Sequence, residues 1–178
     1  IQFRGNKIMI PESITTKRQI MRAMTQDYAE LALSIWGDHE DGKYLSDPYY
    51  KSADELKKLL CDISKWTDYP YVVFEKETND YVGTCGIGPE KRKDEWGIGY
   101  CVVKNKRGHG YASEMANAMI DFAYRCGIHD YTGEVAKENK ASCHVMKNIG
   151  MHVDHESAFK KCNTDIVYQS YIFKMHRD

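Results

Sequence analysis

The part of the sequence best suited to chemistry is residues 98–113, IGYCVVKNKRGHGYAS, where an apolar run gives way to basic residues and glycines. Gly108 and Gly110 have no Cβ, so a ligand can approach the main-chain N–H groups beside them. The first N–H groups of a following helix have no helical partners and carry the positive end of its dipole. Lys104, Lys106 and Arg107 add positive charge. The pattern predicts an anion site that suits a diphosphate, and the alternative is a glycine-rich turn with solvated basic side chains.

Two nucleotide-binding motifs do not match this stretch. The chain has no G-x-x-x-x-G-K-[ST] run, which a P-loop requires. A dinucleotide fingerprint requires a third glycine where Ser113 stands, although Asp130 has the spacing of its acidic residue. A nucleotide-dependent oxidoreductase is therefore the third-ranked hypothesis.

The elements that position this stretch follow from apolar periodicity. The stretch begins within a predicted strand over 95–103. It ends within a predicted helix that runs from about Gly110 to Arg125 and is closed by Gly127. Thr25 and Ser52 are the expected N-caps of two earlier helices, and Ser52 forms a capping box with Glu55. The remaining pattern predicts helices near 26–36, 52–63 and 140–149, and strands near 19–23, 71–76, 81–88, 131–136, 152–159 and 167–175.

The resulting order, βααβββαβαββ, predicts a mixed α/β fold. The length of 178 residues fits a single domain over 1–178. Residues 1–18 have no clear periodicity, and we interpret 1–15 as an N-terminal extension.

Two blocks of the sequence resemble one family. Residues 107–112, RGHGYA, resemble the acyl-CoA signature Q/R-x-x-G-x-G/A of the GNAT superfamily of N-acetyltransferases, with Asn105 at the Q/R position. Residues 138–151, ENKASCHVMKNIGM, resemble the E-N-x-x-S…K-x-G-F segment of that family. An arginine directly before the first glycine, as Arg107 is here, is common in the branch that includes the ribosomal-protein N-acetyltransferases, so the chain resembles that branch.

The resemblance implies a fold and a co-substrate. The fold is a single GNAT-like domain with a splayed central mixed sheet of about seven strands and helices on both faces. The co-substrate is acetyl-CoA, without a metal. The implied CoA-binding residues are Cys101, Val102 and Val103 on the strand, Arg107, Gly108, His109, Gly110, Tyr111 and Ala112 in the loop, and Asn139, Ser142 and Lys147 beyond it.

The resemblance also implies direct attack of an amine on the thioester, with the N–H near Val102 stabilising the developing oxyanion. The family often has a glutamate where this chain has Gly97, and a tyrosine where it has Met146. Glu95 faces the same side of the strand as Gly97 and is the first candidate for the base, ahead of Glu134 and His109. Ser142 is the candidate acid, with water as the alternative.

Composition restricts the partners. The net charge of −1 provides no general attraction for nucleic acid or an acidic membrane. Six cysteines without a signal-peptide pattern predict reduced thiols and a cytoplasmic location. The acidic loop 38–47 either attracts a cationic amine or is an ordinary polar loop.

We expect a monomer or homodimer that acetylates a primary amine, either a protein N-terminus or a small molecule. The alternative is a non-catalytic acyl-CoA-binding regulatory module of the same fold, because Gly97 and Met146 replace the usual acid–base pair.

Overall fold

An eight-stranded sheet organises the part of the chain that the computed structural model describes, which is residues 3–4, 7–8, 11–63, 66, 68–91 and 94–178. Two short strands, β1 (Phe3–Arg4) and β2 (Lys7–Ile8), form a separate hairpin. The main sheet contains β3 (Ser13–Thr15), β4 (Gln19–Ala23), β5 (Tyr69–Glu75), β6 (Tyr81–Pro89), β7 (Glu95–Val102), β8 (Asp130–Ala136), β9 (His152–Lys160) and β10 (Val167–His176).

The strands follow the order β3-β4-β5-β6-β7-β8-β10-β9, and only the β7–β8 pair is parallel. This parallel pair is short, because its register runs only from Glu95↔Asp130 to Gly97↔Thr132. Beyond Gly97 the two strands have no paired residues, so they diverge and leave one edge of β7 open. We call this gap the splay.

Helices cover both faces of the sheet. They are α1 (Ala29–Trp36), α2 (Ala53–Leu60), α3 (Tyr111–Arg125) and α4 (Lys140–Asn148). Side chains alternate across β5, so that Val72 and Phe74 pack in the cluster with α1 and α2, while Tyr71 and Val73 pack in the cluster with α3 and α4. None of the helices in the described ranges is long and apolar enough to cross a membrane.

The structure confirms the predicted α/β class and the predicted helices and strands, with small shifts at their ends. Residues 13–15 are an exception, since the sequence predicts an irregular extension there and they form β3, whose Ile14 is buried against β4. This strand raises the count to eight. Residues 1–2, 5–6 and 9–10 of the expected extension, and Arg92 and Lys93 of the charged turn, lie outside the described residues.

The two predicted N-caps have different outcomes. Ser52 caps α2 as expected, because its hydroxyl accepts a hydrogen bond from Glu55 N at 3.2 Å. Thr25 makes no side-chain cap, and the chain enters α1 through a 3₁₀ turn over Gln26–Tyr28 instead. The prediction for Thr25 is therefore wrong.

A buried lysine holds the loop between α1 and α2. Lys161 is 1% exposed, and its ammonium lies 4.0 Å from the centre of the Tyr49 ring. Its Nζ donates to the carbonyl oxygens of Gly42 at 3.0 Å, Leu45 at 2.8 Å and Asp47 at 2.8 Å. A buried cation with three acceptors is satisfied, and the carbonyls in turn depend on it. The loop is therefore fixed against the turn between β9 and β10.

We expect Lys161→Met to destabilise the protein by roughly 2–4 kcal/mol, because the loop carbonyls lose their charged donor. Lys160→Met is the matched control, since Lys160 only pairs with the exposed Asp165 at 3.3 Å. That change should shift the free energy of unfolding by less than about 0.5 kcal/mol. Urea unfolding of both variants measures the difference, and equal stabilities would contradict this role of Lys161.

Candidate functional site

The loop between β7 and α3 has an unusual backbone. After a 3₁₀ turn over Lys104–Lys106, Gly108 and Gly110 both adopt left-handed conformations, with φ of 80° and 78°. Residues with a Cβ rarely adopt this region, so the two glycines are required by the path of the chain. Gly110 is also the N-cap of α3 and provides no side chain to satisfy the helix amides.

The main-chain N–H groups of residues 108–113 have no hydrogen-bond acceptor within the described chain. The first helical amide that finds a partner is Glu114 N, which donates to Gly110 O at 3.1 Å. No atom lies within 4 Å of the position that a Cβ on Gly108 would occupy. Open donors at the positive end of a helix dipole form an anion site, and their spacing along the chain suits a diphosphate.

Two of the three basic side chains of the loop, Arg107 and Lys106, are tied to the protein itself, and the side chain of Lys104 is exposed. Arg107 donates from Nε to Val102 O at 2.8 Å and from Nη2 to Asp41 Oδ1 at 2.7 Å. Asp41 also accepts a hydrogen bond from Lys104 N at 3.2 Å. Asp41 belongs to the acidic loop 38–47, so this carboxylate joins the two loops and is not free to attract a substrate.

Lys106 is similarly engaged, on the other side of the loop. Its Nζ lies 3.0 Å from Glu75 Oε1 and 2.9 Å from Asp80 Oδ2. Glu75 also accepts a hydrogen bond from the Tyr111 hydroxyl at 2.7 Å. Hydrogen bonds from Tyr111, Thr78 and Lys106 lower the pKa of Glu75 to about 2. Glu75 thus stays ionised and anchors both ends of the loop to β5.

Arg18 completes the support, and the sequence analysis gave it no role in the site. Its Nη1 donates to His109 O at 2.8 Å, its Nε pairs with Glu114 Oε2 at 2.7 Å, and its guanidinium lies 4.7 Å from the centre of the Tyr111 ring. The His109 ring itself turns back, with Nδ1 2.8 Å from Arg107 O. The loop is therefore held by side chains while its amides stay open.

The open edge of β7 presents main-chain groups to the splay. Val103 N donates to Val82 O at 3.0 Å, so Val103 and Cys101 bond to β6. Hydrogen-bonding direction alternates along a strand, which directs the N–H and C=O groups of Tyr100 and Val102 towards the gap. Among the three strand residues that the resemblance implied, Val102 is the one whose amide faces the splay.

The second block lies across the gap, at the start of α4. Asn139 caps this helix by accepting a hydrogen bond from Ser142 N at 3.2 Å. The Ser142 hydroxyl is 2.9 Å from the Tyr100 hydroxyl, and burial raises the pKa of Tyr100 to about 12. Lys147 is exposed on the same helix, and Met146 is buried. The structure therefore brings Ser142 to the splay together with Tyr100, a residue that the sequence analysis did not select.

A cleft of about 820 Å³ opens on the side of the sheet that α1 and α2 cover. Its floor contains four glycines in two cross-strand pairs, Gly86↔Gly99 and Gly88↔Gly97. Aromatic side chains and carboxylates line it, including Trp36, Tyr50, Trp66, Asp47, Asp68, Glu90, Glu95 and Glu134. Gly86 and Gly99 leave room above the sheet, whereas Asp68 lies over Gly88 and Glu90 lies over Gly97. The carboxylates favour a positively charged occupant.

The carboxylates of the cleft differ in their partners. Glu95 Oε1 pairs with Lys174 Nζ at 3.0 Å, and Glu134 Oε1 accepts a hydrogen bond from Ser170 Oγ at 2.6 Å. Asp68 and Glu90, which the sequence analysis did not select, have raised pKa values, mainly through burial. No group of three or more His, Cys, Asp and Glu side chains in the described ranges is arranged to hold a metal ion. The assignment of Glu95 as the base stays a prediction.

Comparison with known proteins gives consistent matches. The Acetyltransferase (GNAT) domain family matches residues 18–152. The uncharacterized N-acetyltransferase p20 of Bacillus licheniformis is 28% identical over 83% of this chain and 89% of its own. The spermidine N-acetyltransferase of Vibrio cholerae, solved with CoA and spermine, superposes with a TM-score of 0.78 at 16% identity, covering 89% of this chain and 95% of that one. The ribosomal-protein-S5-alanine acetyltransferase of Vibrio fischeri superposes with a TM-score of 0.77 at 15% identity, covering 93% of this chain and 97% of that one. At these identities the two structures establish similarity of fold.

We expect Gly108→Ala to raise the dissociation constant of coenzyme A roughly tenfold, because the new Cβ disturbs the amides that face the diphosphate. Gly127→Ala is the matched control, since Gly127 has a similar φ of 84° and also has nothing within 4 Å of its Cβ position. Both variants should lose about 1–2 kcal/mol of stability. Isothermal titration calorimetry distinguishes them, and equal CoA affinities would contradict the assignment.

Proposed function

Since the chain belongs to the GNAT acetyltransferase family, we propose that it transfers the acetyl group of acetyl-CoA to a primary amine by direct attack in a ternary complex. The observation that carries the proposal is the row of amides over residues 108–113, which have no acceptor in the described chain. They lie at the end of β7, next to the splay, where a diphosphate can replace the missing acceptors.

The residues around the splay can orient the thioester. The amides of 108–113 bind the diphosphate. The open edge of β7 offers the main-chain groups of Tyr100 and the N–H of Val102 to the arm that follows it, while Val102 O accepts a hydrogen bond from Arg107 Nε. The Val102 N–H faces the gap and is the candidate donor to the thioester oxygen as negative charge develops there. Acetyl-CoA supplies the activated acetyl group and a thiolate leaving group.

The cleft supports a cationic acceptor. Its carboxylates outnumber its cations, which are Lys91, Lys174 and, when protonated, His155. A primary ammonium group is attracted to such a site, and the glycine floor lets it reach the strand that borders the splay. A polyamine and a protein N-terminus both carry this group, and enzymes that act on each of them are among the structural relatives.

Two protons must move during the transfer. One leaves the ammonium group for a carboxylate of the cleft, for which the sequence predicted Glu95. The other reaches the leaving thiolate, and the Ser142 hydroxyl, paired with Tyr100 at 2.9 Å, is the candidate donor that the sequence identified. We propose a cytoplasmic enzyme, monomeric or homodimeric, in a compartment that keeps its free cysteines reduced.

The alternative is a regulatory module that binds acyl-CoA without turnover. One observation favours it: Met146 is buried and its Cε packs over Gly133, so the position has no proton donor. The Tyr100–Ser142 pair favours the enzyme, because Ser142 lies on α4 one turn before Met146 and the two hydroxyl groups can supply the proton that Met146 cannot.

Purified protein with acetyl-CoA should release free thiol when a suitable amine is added. The panel contains spermidine and related polyamines, monoamines, and peptides with varied N-terminal residues. Turnover should favour acceptors with a second positive charge and decrease with ionic strength, because the acidic cleft attracts them. Binding of CoA without thiol release across the whole panel would support the regulatory module instead.

We expect Gly99→Leu to lower kcat/KM for the amine by a factor of ten to a hundred while leaving CoA affinity unchanged. No atom lies within 4 Å of the Cβ position of Gly99, so the side chain fits the fold but fills the cleft. Gly99→Ala is the graded control and should retain most of the activity. A leucine variant with normal amine kinetics would show that the acceptor binds elsewhere.

A further inference from the structure

The space above Gly97 is occupied by a carboxylate from the neighbouring hairpin. A Cβ on Gly97 would overlap Glu90 Oε1 and would lie 3.1 Å from Glu90 Cδ and 3.3 Å from Glu90 Cγ. The φ angle of Gly97 is not positive, so its backbone could carry a side chain. The glycine is therefore explained by the Glu90 side chain that lies over it.

The hairpin register brings Glu90 to this position. Residues Gly88↔Gly97 and Pro89↔Trp96 pair in the last part of the β6–β7 ladder, and Glu90 N donates to Glu95 O at 2.9 Å. Glu90 is thus the first residue beyond β6, and its side chain folds back over β7. Gly97 is also the last residue of β7 that pairs with β8, so the Glu90 carboxylate lies where the splay begins.

We propose that Glu90 is the catalytic base of the transfer, acting from the space that a side chain on Gly97 would otherwise fill. This inference rests on the proposed function. The carboxylate takes one proton from the ammonium group of the acceptor, directly or through one water molecule. The free amine then forms the new N–C bond, the C–S bond breaks, and the electron pair leaves with sulfur, which receives the second amine proton. The products are the acetylated amine and CoA thiol.

The surroundings of Glu90 distinguish it from the other carboxylates of the cleft. Its carboxylate has no hydrogen bond or ion pair within the described part of the chain. Glu95 instead forms an ion pair with Lys174 at 3.0 Å. Asp68 lies over Gly88, which is on β6 and one strand further from the splay.

The charges that face Glu90 come from several elements. Partial burial, followed by the negative charges of Asp68, Glu95 and Glu134, raises the pKa of Glu90, while Lys91 lowers it. A base with a raised pKa holds the transferred proton more firmly, which suits proton abstraction near neutral pH. Because Glu90 must be ionised to act, the rate should fall as the pH decreases through this raised pKa.

Glu90→Gln should lower kcat/KM for the amine by about 10²–10³ at neutral pH, with an unchanged CoA dissociation constant. The amide cannot accept the proton. The acidic limb of the pH–rate profile, which is the fall in rate at low pH that the wild type shows with the same amine, should therefore be absent in the variant. Glu95→Gln tests the rival base and should keep that limb. Glu30→Gln, an exposed change on α1, is the inert control.

A reciprocal variant tests the position of the carboxylate. Glu90→Ala combined with Gly97→Glu returns a carboxylate to the same space from the other strand, and should recover at least tenfold of the rate lost in Glu90→Ala. Thermal melting of all variants separates loss of the base from loss of the fold.

Three results would overturn the assignment. A Glu90→Gln variant with wild-type rate and pH profile would exclude Glu90 while leaving the transferase function intact. Loss of the acidic limb in Glu95→Gln alone would return the role to Glu95. A folded double variant without any recovery would show that the base does not act above Gly97. Absence of turnover in the wild type with every amine would instead overturn the proposed function itself.

Discussion

The site depends on main-chain N–H groups that the protein leaves without acceptors. Two left-handed glycines, Gly108 and Gly110, bring the chain into α3 without a capping side chain, so the amides of residues 108–113 stay open. Unpaired donors at a helix N-terminus are costly unless water or an anion satisfies them. Because the amides can bind the anion, the basic side chains are not needed for that and instead hold the loop in place. Arg107 pairs with Asp41, and Lys106 pairs with Glu75 and Asp80. Charge holds the loop, and the backbone amides form the proposed binding site for the diphosphate.

The short parallel ladder explains why the anion site and the cleft are adjacent. Pairing of β7 with β8 ends at Gly97, so one edge of β7 presents the main-chain groups of Tyr100 and the N–H of Val102 to the gap, while Val102 O accepts from Arg107. The same strand supplies Gly97 and Gly99 to the cleft floor. In the proposed function, a ligand bound along the edge and an amine bound over the floor would meet at one strand, as reaction in a ternary complex requires.

Local patterns in the sequence predicted most of the fold and the glycine turn of the candidate site. The glycine spacing at 108–110 and the apolar stripe of α3 are properties of short segments, so they could be read directly. Features that depend on strand pairing or on distant contacts were missed. β3 is only three residues long and pairs with β4 across a short connection, Arg18 reaches His109 from far along the chain, and Glu90 lies over Gly97 because of the hairpin register. The missing glutamate at Gly97 was visible in the sequence, but its replacement was not.

Amide hydrogen exchange, followed by NMR with and without saturating coenzyme A, tests the central claim most directly. Residues 108–113 should exchange readily in the free protein and become protected when the diphosphate accepts their hydrogen bonds. Pantetheine, which lacks the diphosphate, should leave them unprotected. Bound coenzyme A that protects other segments but leaves the amides of 108–113 exchanging as before would contradict the account.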